Sequence, residues 1–196
     1  MSNINHQSEG VLAERALRLL GRPAGRVLIG GLGMGFTLRA ALDGLDGAAG
    51  VTVCELVPEI VAWNRGPLAH LAGAPLEDPR VELCVGDVME VLRARPGWYD
   101  VILMDTDNGP DTTVRPGNEG IYADPGLRHV HRALRPGGIA AFWSATCSPR
   151  FERRLNLLPW EWRRDDVQLI GGRVDAFHHI YFASDAAGAL GLRKAG

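Results

Sequence analysis

The feature that most constrains this chain is a repeated unit: a short run that is apolar at nearly every position, a turn, then a stretch with helical spacing. The runs are Arg26–Ile29, Val51–Cys54, Val81–Val85, Val101–Met104 and Ile139–Trp143. A strand with one wet face alternates apolar and polar residues, whereas a continuous apolar run suits burial on both faces of a parallel sheet. Parallel neighbours need crossovers, and the segments between the runs supply them. They are Phe36–Leu42, a stretch holding Ile60, Val61 and Trp63, another through Val91 and Leu92, and one that ends at Arg135-Pro136-Gly137-Gly138. The alternation predicts an α/β, doubly wound fold. An opening helix reaches Leu20, with Ser8 as its expected cap and Leu12, Ala13, Ala16, Leu17, Leu19 and Leu20 as its apolar face. At the other end, Val167–Ile170 and Ala176–Ala183 are joined by Gly171-Gly172-Arg173 with no helix between. They predict an antiparallel hairpin that completes a mostly parallel, seven-stranded sheet.

At 196 residues the chain is read as one domain spanning 1–196, with a short N-terminal segment 1–7 and no separate N-terminal β domain. A net charge of −2 and a pI near 6.3 argue against neutralising phosphates on a nucleic acid or lying on an anionic membrane. The Arg153-Arg154 and Arg163-Arg164 pairs have acids beside them and read as solvated surface. No apolar run is long enough to span a bilayer, and the first ten residues lack the order of a secretory signal. Cys54, Cys84 and Cys147 show no metal-ligand spacing, and the first two sit in strand-like runs as small hydrophobes. A cytoplasmic chain without a metal is expected. The 25 glycines have no period and fall mainly at the ends of apolar runs.

The chemistry gathers at the strand ends. Gly30-Gly31-Leu32-Gly33-Met34-Gly35 follows the first strand and precedes a helix, a context in which glycines let a ligand approach the backbone at a helix N-terminus. Glu55 closes the second strand, where a carboxylate can accept both hydroxyls of a ribose. Asp87, just past the third strand, suits either an adenine amino group or the cap of the next helix. Together these acids favour an adenosine with free ribose hydroxyls. Asp105 ends the most hydrophobic strand; it can hold an amino group, take a proton from an acceptor, or simply start a turn. Between Thr106 and Pro125 runs a polar, glycine- and proline-rich stretch read as a long acceptor-binding loop, with Arg115 and Tyr122 as its candidate contacts. His178 and His179 point to opposite faces of their strand and cannot act together; His129 and His131 read as exposed, and Trp160 and Trp162 as packing.

Taken as a set, Val27 to Arg39, Glu55, Gly86-Asp87, Tyr99 to Asp105 and Leu134-Arg135-Pro136-Gly137-Gly138 resemble the spermidine synthase-like branch of class I S-adenosylmethionine-dependent transferases, which have a Rossmann-like methyltransferase fold. The resemblance runs from about Arg26 to Trp143. It implies S-adenosylmethionine contacts at Gly31, Gly33, Met34 and Gly35, at Glu55 and its neighbour Leu56, and at Asp87 and its neighbour Val88. It also implies a reactive-centre carboxylate at Asp105. Polyamine synthases carry an acid in the glycine loop where this chain has Met34, and a second acid where it has Asn108, which would still face the substrate. They also have an N-terminal β-rich domain. A dicationic acceptor needs paired carboxylates, so methyl transfer to a small polar or amine-bearing acceptor is expected. Polyamine aminopropyl transfer and a non-catalytic cofactor-binding module are the alternatives, while the terminal hairpin and Asp87 disfavour an NAD-linked dehydrogenase. Relatives of this kind are often dimeric, and a homodimer is compatible with the short N-terminal segment.

Overall fold

The computed structural model describes residues 6–106, 108–111, 119–169 and 176–191. Five parallel strands form its centre: β1 (Arg26–Gly30), β2 (Gly50–Glu55), β3 (Val81–Val85), β4 (Tyr99–Met104) and β5 (Leu134–Ser144). Antiparallel β6 (Glu161–Gln168) and β7 (Phe177–Ser184) extend one side, giving the order β3-β2-β1-β4-β5-β7-β6. Among the described residues seven α-helices complete it: α1 (Gln7–Leu20), α2 (Phe36–Asp43), α3 (Pro58–Asn64), α4 (Val88–Ala94), α5 (Glu119–Tyr122), α6 (Asp124–Ala133) and α7 (Pro149–Leu155). This is the α/β, mostly parallel seven-stranded sheet that the alternation predicts.

Period-two side-chain alternation divides the core into two layers. Val27, Ile29, Val53, Val101 and Leu103 pack beneath α1 and α2, while Leu28, Cys54, Ile102 and Met104 pack against α4 and α6. Where the two layers meet the start of the sheet, Asp100 is fully buried. It accepts from the amides of Gly25 and Arg26, each at 2.9 Å, and pairs with Arg22 and Arg135. Burial alone would raise its carboxyl, but those partners outweigh burial and hold it below the usual carboxylate range.

Several local expectations change. β3 is an edge strand, so Glu82 and Val85 are exposed and the run is not buried on both faces. Cys84 is half-buried beside a buried Cys54, whose thiol is pushed up by burial. Ser8 does not cap α1: it lies inside the helix, wholly buried, and bonds to residues distant in sequence. β6 starts at Glu161, six residues before the expected Val167, and its Arg163, Arg164, Asp165 and Asp166 form cross-linked ion pairs. The expected turn residues Gly171-Gly172-Arg173 lie outside the described residues. The stretch from Thr106 to Pro125 is not all loop, because α5 and the start of α6 occupy its end, with Pro125 tolerated in the first turn. No helix among the described residues is long and apolar enough to cross a membrane.

Candidate functional site

In an open parallel sheet the strand order reverses at one point, here between β1 and β4, and the crevice outside those carboxyl ends is where ligands bind. The backbone knits the tips together: Gly31 N donates to Cys54 O, Asp105 N to Gly30 O and Gly86 N to Glu55 O, at 2.8, 2.8 and 2.9 Å. Gly31 has φ +90°, and a Cβ there would collide with the Asp105 carbonyl oxygen, so only glycine fits between β1 and β4. Over these tips opens a cavity of about 370 Å³, within the usual range for a small-molecule site.

Most of the residues expected from sequence line it. Gly31, Gly33 and Met34 form one side; Glu55, Leu56, Asp87 and Val88 form the next; Asp105 and Asn108 lie under the third. Glu55 is almost wholly buried, and both of its oxygens accept backbone amides, from Leu32 at 3.0 Å and Val57 at 2.9 Å. It thus fixes the glycine loop against the β2–α3 turn. Asp87 caps α4 by accepting from Met89 N at 2.8 Å while still lining the cavity, so the two sequence readings of this residue are compatible. Gly35 does not line the cavity. It starts α2 with φ +84°, and a Cβ there would press on Pro75 and Asn64, which makes it a packing glycine.

Asp105 is the most perturbed acid of the site. Burial pushes its carboxyl up to about 6, against the pull of the Thr37 hydroxyl, which donates to Oδ2 at 2.6 Å, and with a further upward push from the negative charge of Glu9. Thr37 lies in the first turn of α2, immediately after the glycine loop, and was not singled out from sequence. Glu9, Phe36, Ile121 and Trp143 also line the cavity unforeseen, because each is brought there by tertiary packing rather than by a motif.

Other candidates move. Tyr122 does not line the cavity: it is fully buried, packs edge-on against Phe151, and its hydroxyl lies 3.1 Å from Thr106 Oγ1. Thr106 does line the cavity. Arg115 lies outside the described residues. His129 and His131 are half-buried rather than exposed, and His131 packs on Trp160. His178 Nδ1 lies 2.8 Å from Ser8 Oγ and His179 Nδ1 lies 2.8 Å from Asp166, each in a structural hydrogen bond. Among the described residues no three His, Cys, Asp or Glu side chains converge as a metal site.

The donor set is therefore acidic. Four carboxylates, Glu9, Glu55, Asp87 and Asp105, line the cavity, and among the described lining residues there is no Lys or Arg. Such a wall fits an adenosine bearing cationic groups: acceptor oxygens for ribose and adenine donors at Glu55 and Asp87, and negative charge at the far end. It does not suit the pyrophosphate of a dinucleotide.

Comparison with known proteins agrees with this chemistry. The family described as the spermine/spermidine synthase domain matches residues 16–153. A polyamine aminopropyltransferase from Moorella thermoacetica is 35% identical over 105 residues, 54% of this chain and 34% of that protein. A spermidine synthase from Coffea arabica is 33% identical over 115 residues, 58% of this chain and 34% of that protein. The chain thus spans about a third of the length of these curated relatives. Among solved structures, spermidine synthase from Thermotoga maritima superposes with a TM-score of 0.72 at 21% identity, over 93% of this chain and 60% of that one. These matches, to proteins named as aminopropyltransferase and spermidine synthase, overturn the expectation of methyl transfer. That expectation rested on Met34, on Asn108 and on the N-terminal β-rich domain that polyamine synthases carry; the cavity's charge is a sum over several elements, and α1 contributes to it a carboxylate that the glycine-loop motif does not report.

Proposed function

The chain belongs to the spermine/spermidine synthase family, and from that membership we propose that it is a polyamine aminopropyltransferase, with decarboxylated S-adenosylmethionine as donor and a small amine as acceptor. The observation that carries this reading is that every charged residue among the described lining residues of the cavity is an acid. S-adenosylmethionine itself would bring a carboxylate into that wall with no side-chain cation among the described lining residues to pair it, and a desolvated, unpaired charge is costly. The decarboxylated donor presents positive charge alone.

When bound, the donor supplies a sulfonium whose bond to the aminopropyl carbon breaks as the acceptor nitrogen bonds to that carbon, the electron pair staying on a neutral thioether. The protein's own contribution is alignment and proton handling. Glu55 and Asp87 anchor the adenosine end, and the glycine loop sets the depth of entry. Asp105 faces the reactive end; Thr37 holds its Oδ2, and Oδ1 has no hydrogen-bond donor among the described residues. With a carboxyl pushed up to about 6, Asp105 is ionised at neutral pH yet basic enough to orient an acceptor amine and take its proton.

Calorimetric titration of the purified protein with decarboxylated S-adenosylmethionine, S-adenosylmethionine and methylthioadenosine tests the reading. The decarboxylated donor is expected to bind at least about tenfold more tightly than S-adenosylmethionine, the scale of one charged interaction. Tighter binding of S-adenosylmethionine would reject it.

A further inference from the structure

Glu9 is the cavity carboxylate that the reaction above does not use. It stands in the first turn of α1, where an acid is common because the helix dipole favours it, and that position alone would give it no role. Its surroundings go further. Glu9 lines the same cavity as Asp105, which ends β4, together with the apolar side chains of Phe36, Ile121 and Trp143. Its Oε2 accepts from Ser8 Oγ at 2.7 Å. Ser8 is fully buried, accepts from Trp143 Nε1 at 3.0 Å and lies 2.8 Å from His178 Nδ1. Side chains from β5 and β7 therefore hold the hydroxyl that orients the carboxylate.

No arginine or lysine among the described residues forms an ion pair with Glu9. The acids Asp165, Asp166 and Glu152, by contrast, are each paired with an arginine. An oriented carboxylate without a cation, facing a cavity that holds a second carboxylate, is arranged for a ligand that brings positive charge.

Resting on the aminopropyl reading, we propose that Glu9 is the second carboxylate of the acceptor site and that, with Asp105, it binds the two ammonium groups of an α,ω-diamine. Taking two ammonium groups out of water requires an opposite charge for each. Asn108 is neutral and meets only part of that need; Glu9 supplies the missing charge from α1. The alkyl chain between the ammonium groups then lies against the apolar lining.

The test is calorimetric titration of 1,4-diaminobutane, with butylamine in parallel, into protein saturated with methylthioadenosine. Wild type, Glu9→Gln and Glu9→Asp are compared. Wild type is expected to bind the diamine more tightly than butylamine. Glu9→Gln is expected to weaken the diamine at least about tenfold, to change butylamine much less, and to leave methylthioadenosine affinity within about twofold, since the charge is lost without altering the cofactor half of the cavity. Glu9→Asp is expected to recover most of the diamine affinity. A purely structural role would instead lower methylthioadenosine affinity and the melting temperature together. Equal diamine affinity in wild type and Glu9→Gln, or no diamine binding by wild type, overturns the assignment. Turnover with the decarboxylated donor is scored separately. Diamine binding that depends on Glu9 in a wild-type protein without turnover would uphold the acceptor site and reject the transfer.

Discussion

Replacing Asp105 by Asn isolates the free energy stored in a carboxylate that the fold partly desolvates. The side chains are nearly isosteric, and an asparagine oxygen can still accept from the Thr37 hydroxyl, so the perturbation is mainly one of charge. The ordinary carboxyl value is 3.8 and the folded value about 6. Well below pH 4 both folded and unfolded chains carry the proton. As pH rises from about 4 to about 6 the unfolded chain releases it first, so Asp105 removes stability across that window and its cost is constant above it. The gap corresponds to about 3 kcal/mol, and relaxation around a pocket open to water reduces this to about 1–3 kcal/mol. Asp105→Asn should therefore be more stable than wild type by that amount at pH 8, with most of the difference gone by pH 4. Urea unfolding of both proteins at pH 4, 6 and 8 measures it, and every other acid cancels in the difference. A difference independent of pH, or a variant less stable than wild type at pH 8, would show that burial does not raise the Asp105 carboxyl. The same variant should lose activity by at least about a hundredfold, the low end for a positioned acid–base group.

In wild type, kcat/KM for the acceptor should fall about tenfold per pH unit below about 6, as Asp105 gains its proton; a profile flat from pH 5 to 7 would remove Asp105 from proton handling. Glu55→Ala leaves the Leu32 and Val57 amides without their acceptor, so denaturant unfolding should show a loss of about 2–4 kcal/mol, and calorimetry a loss of methylthioadenosine binding. Asp100→Ala removes the acceptor of two amides and strands Arg22 and Arg135, which should cost about 3–5 kcal/mol without changing methylthioadenosine affinity in the fraction that folds. Because its carboxyl is held below the usual range, wild-type Asp100 contributes stability that is present at neutral pH and lost as the pH falls through its folded value.

The parallel core was legible because its code is local: Val27-Leu28-Ile29 and Val101-Ile102-Leu103-Met104 feed both layers of the core, and each run had to be apolar throughout. The same rule failed for β3 and β6, which lie at the two edges of the sheet. β6 carries Arg and Asp on successive residues, a pattern stable only because Arg164 reaches Glu152 and Arg15 reaches Asp165 from other elements. Tertiary partners also decided the role of Ser8. Its sequence context suggests a cap, whereas its bonds to Trp143 and His178 make it a buried junction. At the site, Glu55, Asp87 and Asp105 were visible as acids at strand tips, since topology places every such tip on one crevice. Glu9 and Thr37 were not, because helices α1 and α2 deliver them and no spacing rule relates them to Asp105. Met34 and Asn108 alone therefore do not report the negative charge of the cavity, to which Glu9 adds.

A product assay separates aminopropyl transfer from methyl transfer. The protein is incubated with decarboxylated S-adenosylmethionine and 1,4-diaminobutane, and in parallel with S-adenosylmethionine and the same amine, and products are read by mass spectrometry. Methylthioadenosine and a diamine extended by one aminopropyl group are expected in the first mixture, with no methylated amine in the second. Methylated amine together with S-adenosylhomocysteine in the second mixture, and no aminopropylated product in the first, would contradict it.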